Sequence, residues 1–186
     1  MMKLLIVYGT TEGQTRKICR FLRDEALKAG NKVDISDASD HPRSPDGYDA
    51  VIIGASVHQG KYQASVKHYL MQYVDKLNAM VSAFISVSLT AATKDEESWK
   101  ELETITSEFL KKTSWKPTEV EQVAGALRYT QYDFLKKFIM RMIAKRSGGD
   151  TDTSHDHEYT DWEQVENLME RIIKQVEKSK SPKPVP

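Results

Sequence analysis

An apolar run, Leu4 to Tyr8, breaks at Gly9 into Thr10-Thr11-Glu12-Gly13-Gln14-Thr15, and a helical pattern follows at once. A short continuous apolar run bounded by turn residues reads as a strand buried on both faces, the kind found in parallel sheets. A helix directly after it is the first half of a strand–helix–strand crossover. The connection gathers three threonine hydroxyls, a glutamine amide and the free backbone N–H groups of a helix N-terminus. Unsatisfied donors and the positive end of the helix dipole hold anions at such a place. The segment brings almost no positive side chain, so it suits a phosphate monoester held by neutral hydrogen bonds. An ordinary turn with threonine caps is the alternative; three hydroxyls in six residues favour the anion site.

Two phosphate motifs are absent. No G-x-x-x-x-G-K-[ST] exists, which argues against a P-loop NTPase, and no G-x-G-x-x-G follows the first strand, which argues against a Rossmann dinucleotide site. The spacing of Ile6, Val7, Tyr8, Thr10, Gly13 and Thr15 instead resembles the flavodoxin pattern of a branched, an apolar and an aromatic residue, then Ser/Thr, a small residue and Thr. Four residues after the last threonine that family usually has alanine; this chain has Cys19. The resemblance implies that the phosphate is that of FMN, held by Thr10, Thr11, Glu12, Gly13, Gln14 and Thr15.

Strand and helix patterns alternate along the rest of the chain. A first helix is predicted from about Gly13 to Ala29, with Ile18, Leu22, Ala26 and Ala29 on its inner face. Lys32 to Ile35 reads as a short edge strand, and Asp37 to Asp49, with Pro42, Pro45 and Gly47, as a loop. Strands are predicted at Ala50–Gly54, Val81–Val87 and Val120–Ala126. Helices are predicted at Ala64–Leu77, with Val66, Leu70, Tyr73 and Leu77 inward, and at Asp95–Lys112, with Trp99, Leu102 and Phe109 inward. A last helix begins at Thr160-Asp161-Trp162-Glu163, which has the form of a capping box, and its inner stripe is Trp162, Val165, Met169, Ile172 and Val176. The tail from Ser179 to Pro186 has three prolines and no apolar period, and is expected to be disordered. The expected fold is therefore α/β and flavodoxin-like: a five-stranded parallel sheet of order 2-1-3-4-5, helices on both faces, one domain over residues 1–178.

In such a sheet the ligand sits outside the carboxyl ends of the strands where the order reverses. Three loops reach that rim: the threonine loop, Ala55 to Tyr62, and Ser88 to Ala92. By resemblance the second and third hold the flavin ring, through Ser56, Val57, His58, Gly60, Lys61 and Tyr62 and through Ser88, Leu89, Thr90 and Ala91. Tyr62 is the expected stacking partner. His58 has two readings, a proton-transfer group or a surface residue of a variable loop.

Zero net charge gives no basic field for nucleic acid. One cysteine, Cys19, allows no internal disulfide and fits a reducing compartment. No signal peptide is expected, because Lys3 is followed by a strand and a turn, and no segment approaches the ~20 apolar residues of a membrane span. His155-Asp156-His157 is not completed by other close ligands, so no metal site is expected.

About 30 residues, 127–157, separate the fifth strand from the last helix. An insertion that long inside a domain has a function or structure of its own. Tyr132 to Arg146 reads as a helix with Phe134, Leu135, Phe138, Ile139, Met142 and Ile143 on one side. Five basic residues against Asp133 give the segment +4, leaving −4 elsewhere. Such a helix binds an anionic membrane surface, or packs on the domain with a solvated basic face.

Gly54-Ala55-Ser56, Gly125 to Tyr129, Ser147 to Thr153 and Tyr159 to Val165 together make the chain similar to the bacterial quinone-dependent protoporphyrinogen dehydrogenases, across nearly its whole length. His58-Gln59 stands where that family typically has an Arg-aromatic pair. The resemblance implies an oxidoreductase of haem biosynthesis at the inner, cytoplasmic face of the cell membrane. Its FMN takes a hydride from a bridging carbon of protoporphyrinogen IX, with loss of a proton, in each of three two-electron steps, and electrons pass to menaquinone or ubiquinone. The macrocycle's propionates need cations: Arg128, Lys61, Lys145 and Arg146 are candidates, with Tyr129 and Tyr132 for apolar contact. The rival readings are a soluble flavodoxin carrier, a flavodoxin-like NAD(P)H:quinone reductase, and a flavin-binding module of a larger membrane assembly. Carriers are typically strongly acidic, which this chain is not.

Overall fold

The computed structural model of the chain describes residues 1–93, 95–127 and 157–181. Five parallel strands form one sheet: β1 (Lys3–Gly9), β2 (Lys32–Asp37), β3 (Ala50–Ser56), β4 (Val81–Ser88) and β5 (Glu119–Ala124), in the order β2-β1-β3-β4-β5. Four helices connect and cover them: α1 (Gln14–Lys28), α2 (Ala64–Asn78), α3 (Glu96–Thr113) and α4 (Trp162–Lys180). The flavodoxin-like order expected from the alternating pattern is the one observed.

Side chains alternate along each strand, and the two sets build two cores. Leu4 and Ile6 of β1 pack with Ile18 and Leu22 of α1 and Val165 and Ile172 of α4. Leu5 and Val7 face the other way, toward Tyr69, Leu70 and Leu77 of α2 and Phe109 of α3. Residues Leu4 to Val7 are fully buried, which is why β1 reads as an unbroken apolar run rather than an alternating one. The first helix departs from the expected periodicity at its end. Ala29 is exposed, because it lies past the last turn of α1 as its C-cap.

The edge strand β5 carries its own protection. Arg171 of α4 binds Glu121, with Nη2–Oε2 2.5 Å, and lies 3.7 Å from Glu119. Charges on an edge strand discourage pairing with another chain. β5 ends at Ala124, two residues earlier than expected. Gly125 breaks the strand, and Ala126–Leu127 then forms β6, paired antiparallel with β7 (His157–Glu158). This ribbon brackets the insertion at its two ends. The rest of the insertion, including the helix expected at 132–146, lies outside the described residues.

The N-cap of α4 is displaced by one residue from the one expected. Asp161, not Thr160, is the N-cap, and it accepts from the Gln164 backbone N–H at 3.1 Å. The Thr160 hydroxyl is used elsewhere: it donates to the Ala124 carbonyl at 2.7 Å and accepts from the Gln14 side-chain amide at 2.9 Å. The last helix also runs to Lys180, two residues into the stretch expected to be disordered; residues 182–186 lie outside the described residues.

Candidate functional site

β2 and β3 lie on opposite sides of β1, so the crossovers after β1 and after β2 leave in opposite directions. The connections diverge there and leave a crevice at the carboxyl ends of the strands. A cleft of about 250 Å³ occupies it.

The threonine loop forms one wall. Gly13 is the N-cap of α1 with φ 93°, a left-handed conformation that glycine reaches without a Cβ penalty. Its N–H donates to Thr10 Oγ1 at 2.9 Å, which closes the loop on itself. The Gly13 carbonyl accepts from Lys17 N–H, so the N–H groups of Gln14, Thr15 and Arg16 precede the first intrahelical bond. Thr15 is the informative residue. It is 1% exposed, it lines the cleft, and its Oγ1 has no hydrogen-bond partner. A buried hydroxyl left unpaired costs roughly 1–3 kcal/mol, so the position is shaped for a partner that comes from outside the chain. Thr10, Thr11, Glu12 and Gln14 line the same wall, while Gly13 acts from behind it.

The second loop is a tight hairpin turn. His58 and Lys61 exchange both backbone hydrogen bonds, at 2.9 and 3.1 Å. Gln59 and Gly60 between them have φ of 49° and 72°, the signature of a type I′ turn. The turn presents Ser56, Val57, His58, Gln59 and Gly60 to the cleft. It carries the chain away immediately afterwards, so Lys61 and Tyr62 do not line it.

Tyr62 is therefore not the stacking partner expected from the sequence. Its ring packs on Phe109 and Phe84, with centroids 4.5 and 5.2 Å apart. Its hydroxyl lies 2.8 Å from both Ser86 Oγ and Thr106 Oγ1. Burial pushes its pKa up, with the Ser86 and Thr106 hydrogen bonds opposing. An aromatic at this spacing serves the core between α2, α3 and the sheet.

The third wall comes from β4 and the 3-10 turn Thr90–Ala92. Val87, Ser88, Leu89 and Thr90 line the cleft, and Ala91 does not; its N–H instead donates to Ser88 Oγ at 3.1 Å. Trp99 of α3 steadies this loop by donating its indole N–H to the Thr93 carbonyl at 2.7 Å. Sequence reasoning missed the fourth wall: Ser98, Glu101, Leu102 and Ile105 on α3, and Gly125 and Ala126 after β5. Ser98, Glu101, Leu102 and Ile105 recur at i, i+3, i+4 and i+7, so they share one helix face, a signal present in the sequence. Glu12, His58 and Glu101 are the titratable side chains of the cleft, and no Lys or Arg lines it among the described residues. Arg128, Tyr129, Tyr132, Lys145 and Arg146 lie outside the described residues.

The flavodoxin domain family matches residues 5–154. The chain is 38% identical over 173 residues to protoporphyrinogen IX dehydrogenase [quinone] of Escherichia coli K12, covering 92% of this chain and 94% of that protein. The chain belongs to this flavodoxin-type dehydrogenase family. A second member, from Leishmania major, is 37% identical over 88% of this chain and 71% of its own length. An archaeal flavodoxin structure superposes with a TM-score of 0.55 at 13% identity, over 95% of this chain and 99% of that one, which shows the shared fold.

Membership in a flavodoxin-type family implies a flavin, and the residues of this cleft fit one. The unpartnered Thr15 hydroxyl and the N–H groups at the start of α1 would supply donors to an anionic group of a flavin. Val57, Leu89, Leu102 and Ile105 give apolar lining, beside the titratable Glu12, His58 and Glu101.

Proposed function

We propose that this chain is an FMN-dependent dehydrogenase that oxidises protoporphyrinogen IX to protoporphyrin IX and delivers the electrons to a membrane quinone. Close kinship across nearly the full length of the E. coli enzyme supports the reaction. The observation that carries the cofactor is the buried, unpaired Thr15 Oγ1 in the wall of the cleft.

FMN, when bound, supplies the two-electron acceptor, and the protein places it. The Thr10–Thr15 loop holds the phosphate with hydroxyls, backbone N–H groups and the helix dipole. The second and third loops hold the ring. His58, on the cleft wall, is the group that takes the proton released by a ring nitrogen. Glu12 and Glu101 make the rim negative. They repel the propionates of the substrate and so direct them outward; Lys61, Arg128, Lys145 and Arg146 are the proposed cations for them, and Tyr129 and Tyr132 the proposed apolar contacts.

Among the described residues no helix is long and apolar enough to cross a membrane. The basic amphipathic segment 132–146 is the proposed attachment to the inner face of the cell membrane, where menaquinone or ubiquinone is the acceptor. Anaerobic mixing of the FMN-loaded protein with protoporphyrinogen IX tests the reaction. Substrate bleaches the flavin absorbance, and added quinone restores it. Bleaching by NADPH and not by the porphyrinogen would overturn the assignment in favour of a quinone reductase. Co-sedimentation with anionic vesicles, with and without residues 132–146, tests the attachment; equal binding by both forms would reject it.

A further inference from the structure

Gln63, the residue before α2, lies behind the cleft rather than in its wall. Its side-chain amide makes three hydrogen bonds. Oε1 accepts from the Ser56 backbone N–H at 3.2 Å. Nε2 donates to Ser56 Oγ at 2.6 Å and to Thr11 Oγ1 at 3.1 Å. Ser56 and Thr11 belong to different loops, the end of β3 and the threonine loop, and both line the cleft.

The direction of the amide is fixed chemically. A backbone N–H can only donate, so the oxygen of the amide must face Ser56 N–H and its NH2 must face the two hydroxyls. A hydroxyl has one proton. With the amide donating into each oxygen, neither Ser56 nor Thr11 spends its proton on Gln63. Both protons are left for acceptors on the cleft side.

We infer that Gln63 is a positioning residue that biases the polarity of the flavin site, by donating into the Ser56 and Thr11 hydroxyls and so keeping both their protons available to the bound cofactor. A phosphate and the carbonyl edge of a flavin are acceptors, so a wall of hydroxyls turned outward as donors matches them. This inference rests on the FMN reading proposed above and assigns a residue outside the cleft to it.

Reversing the polarity at constant size tests it. The carboxylate of Gln63→Glu can only accept, so it draws both hydroxyl protons away from the cleft. Gln63→Met removes the amide and leaves the hydroxyls free to turn. FMN titrations of the apo-protein, followed by flavin fluorescence quenching, give the readout. Gln63→Glu raises Kd roughly 10- to 100-fold, and Gln63→Met raises it only a few-fold. Lowering the pH protonates the introduced carboxylate and restores a donor, so the Kd ratio of Gln63→Glu to wild type shrinks toward acid. A residue that merely linked two loops would cost the same in both variants and give a pH-independent ratio, and either result overturns the inference. If Gln63→Glu fails to fold, Ser56→Ala is measured in the wild-type and Gln63→Met backgrounds. The serine hydroxyl contributes more to FMN affinity with Gln63 present, and an equal contribution overturns the inference. Wild-type protein that takes up no FMN would overturn the cofactor reading itself, and this inference with it.

Discussion

Gly54 of β3 is where the core and the cofactor loop meet, and Gly54→Ala measures how tightly. A Cβ at Gly54 would stand 2.7 Å from Cys19 Sγ and 3.1 Å from Thr15 Cγ2. Both neighbours are buried on α1, Cys19 completely. Optimal contact lies near 3.5–4.0 Å, so α1 must retreat by roughly 1 Å or the sulfur must leave its rotamer. Overpacking of this kind costs about 1–3 kcal/mol. Cys19→Ala removes the obstructing atom and by itself costs about 1 kcal/mol, the order of one buried CH2. In the double variant the new methyl takes part of the vacated space. The two costs therefore fail to add, with a coupling of about 1 kcal/mol or more. Urea unfolding of the four apo-proteins supplies the numbers, with equal m-values as the check that the denatured states match. FMN affinity follows the same order, because the Thr15 methyl is the second contact and its hydroxyl serves the site. Additive stabilities, or an unaltered FMN Kd in Gly54→Ala, would refute the packing account.

Other expectations follow from single contacts. Tyr62→Phe leaves Ser86 without a hydrogen bond it makes at 2.8 Å and lowers stability by about 1–3 kcal/mol. It leaves the visible spectrum of bound flavin unchanged, and a shifted spectrum would return Tyr62 to the ring. Asp161→Ala removes the α4 cap and costs about 1 kcal/mol by thermal unfolding, without effect on FMN affinity. Thr160→Val frees Gln14, a residue of the cleft wall, and weakens FMN binding as well as stability; equal behaviour of the two variants would argue against that division. Burial raises the Cys19 pKa from 9.0 to about 12. The folded state thus favours the thiol, a stabilisation complete below pH ~9 and lost as the pH rises toward 12. The native protein resists iodoacetamide near pH 8 and reacts only when unfolded; ready alkylation of the native state would contradict this.

Most of the sheet was legible because burial on both faces writes a strand as an apolar run. The threonine loop was legible because donors cluster there in sequence as well as in space. Other features depended on geometry that spacing does not carry. Tyr62 looks like a rim aromatic in sequence, and only the Gln59-Gly60 turn shows that the chain has already swung toward Phe109. Thr160 looks like a cap, but a carbonyl from β5 and the amide of Gln14 compete for its hydroxyl, and Asp161 takes over. On α3 the sequence marks only the inward residues Trp99, Leu102 and Phe109. The core stripe of α3, Leu102 and Phe109, and its cleft stripe, Ser98, Glu101, Leu102 and Ile105, meet at Leu102. Periodicity reports that a face is covered, not whether protein or ligand covers it.

In the proposed function the threonine loop holds a flavin phosphate through the buried Thr15 hydroxyl, unpaired within the chain. Titration of wild-type and Thr15→Val apo-protein with FMN and with riboflavin, which lacks the phosphate, tests this most directly. Valine keeps the shape and removes the buried, unpartnered oxygen. The expected result is an apo-protein at least as stable as wild type, FMN affinity weakened roughly 10- to 100-fold, and riboflavin affinity unchanged. Equal FMN affinity in the two proteins, or a parallel loss for riboflavin, would contradict it.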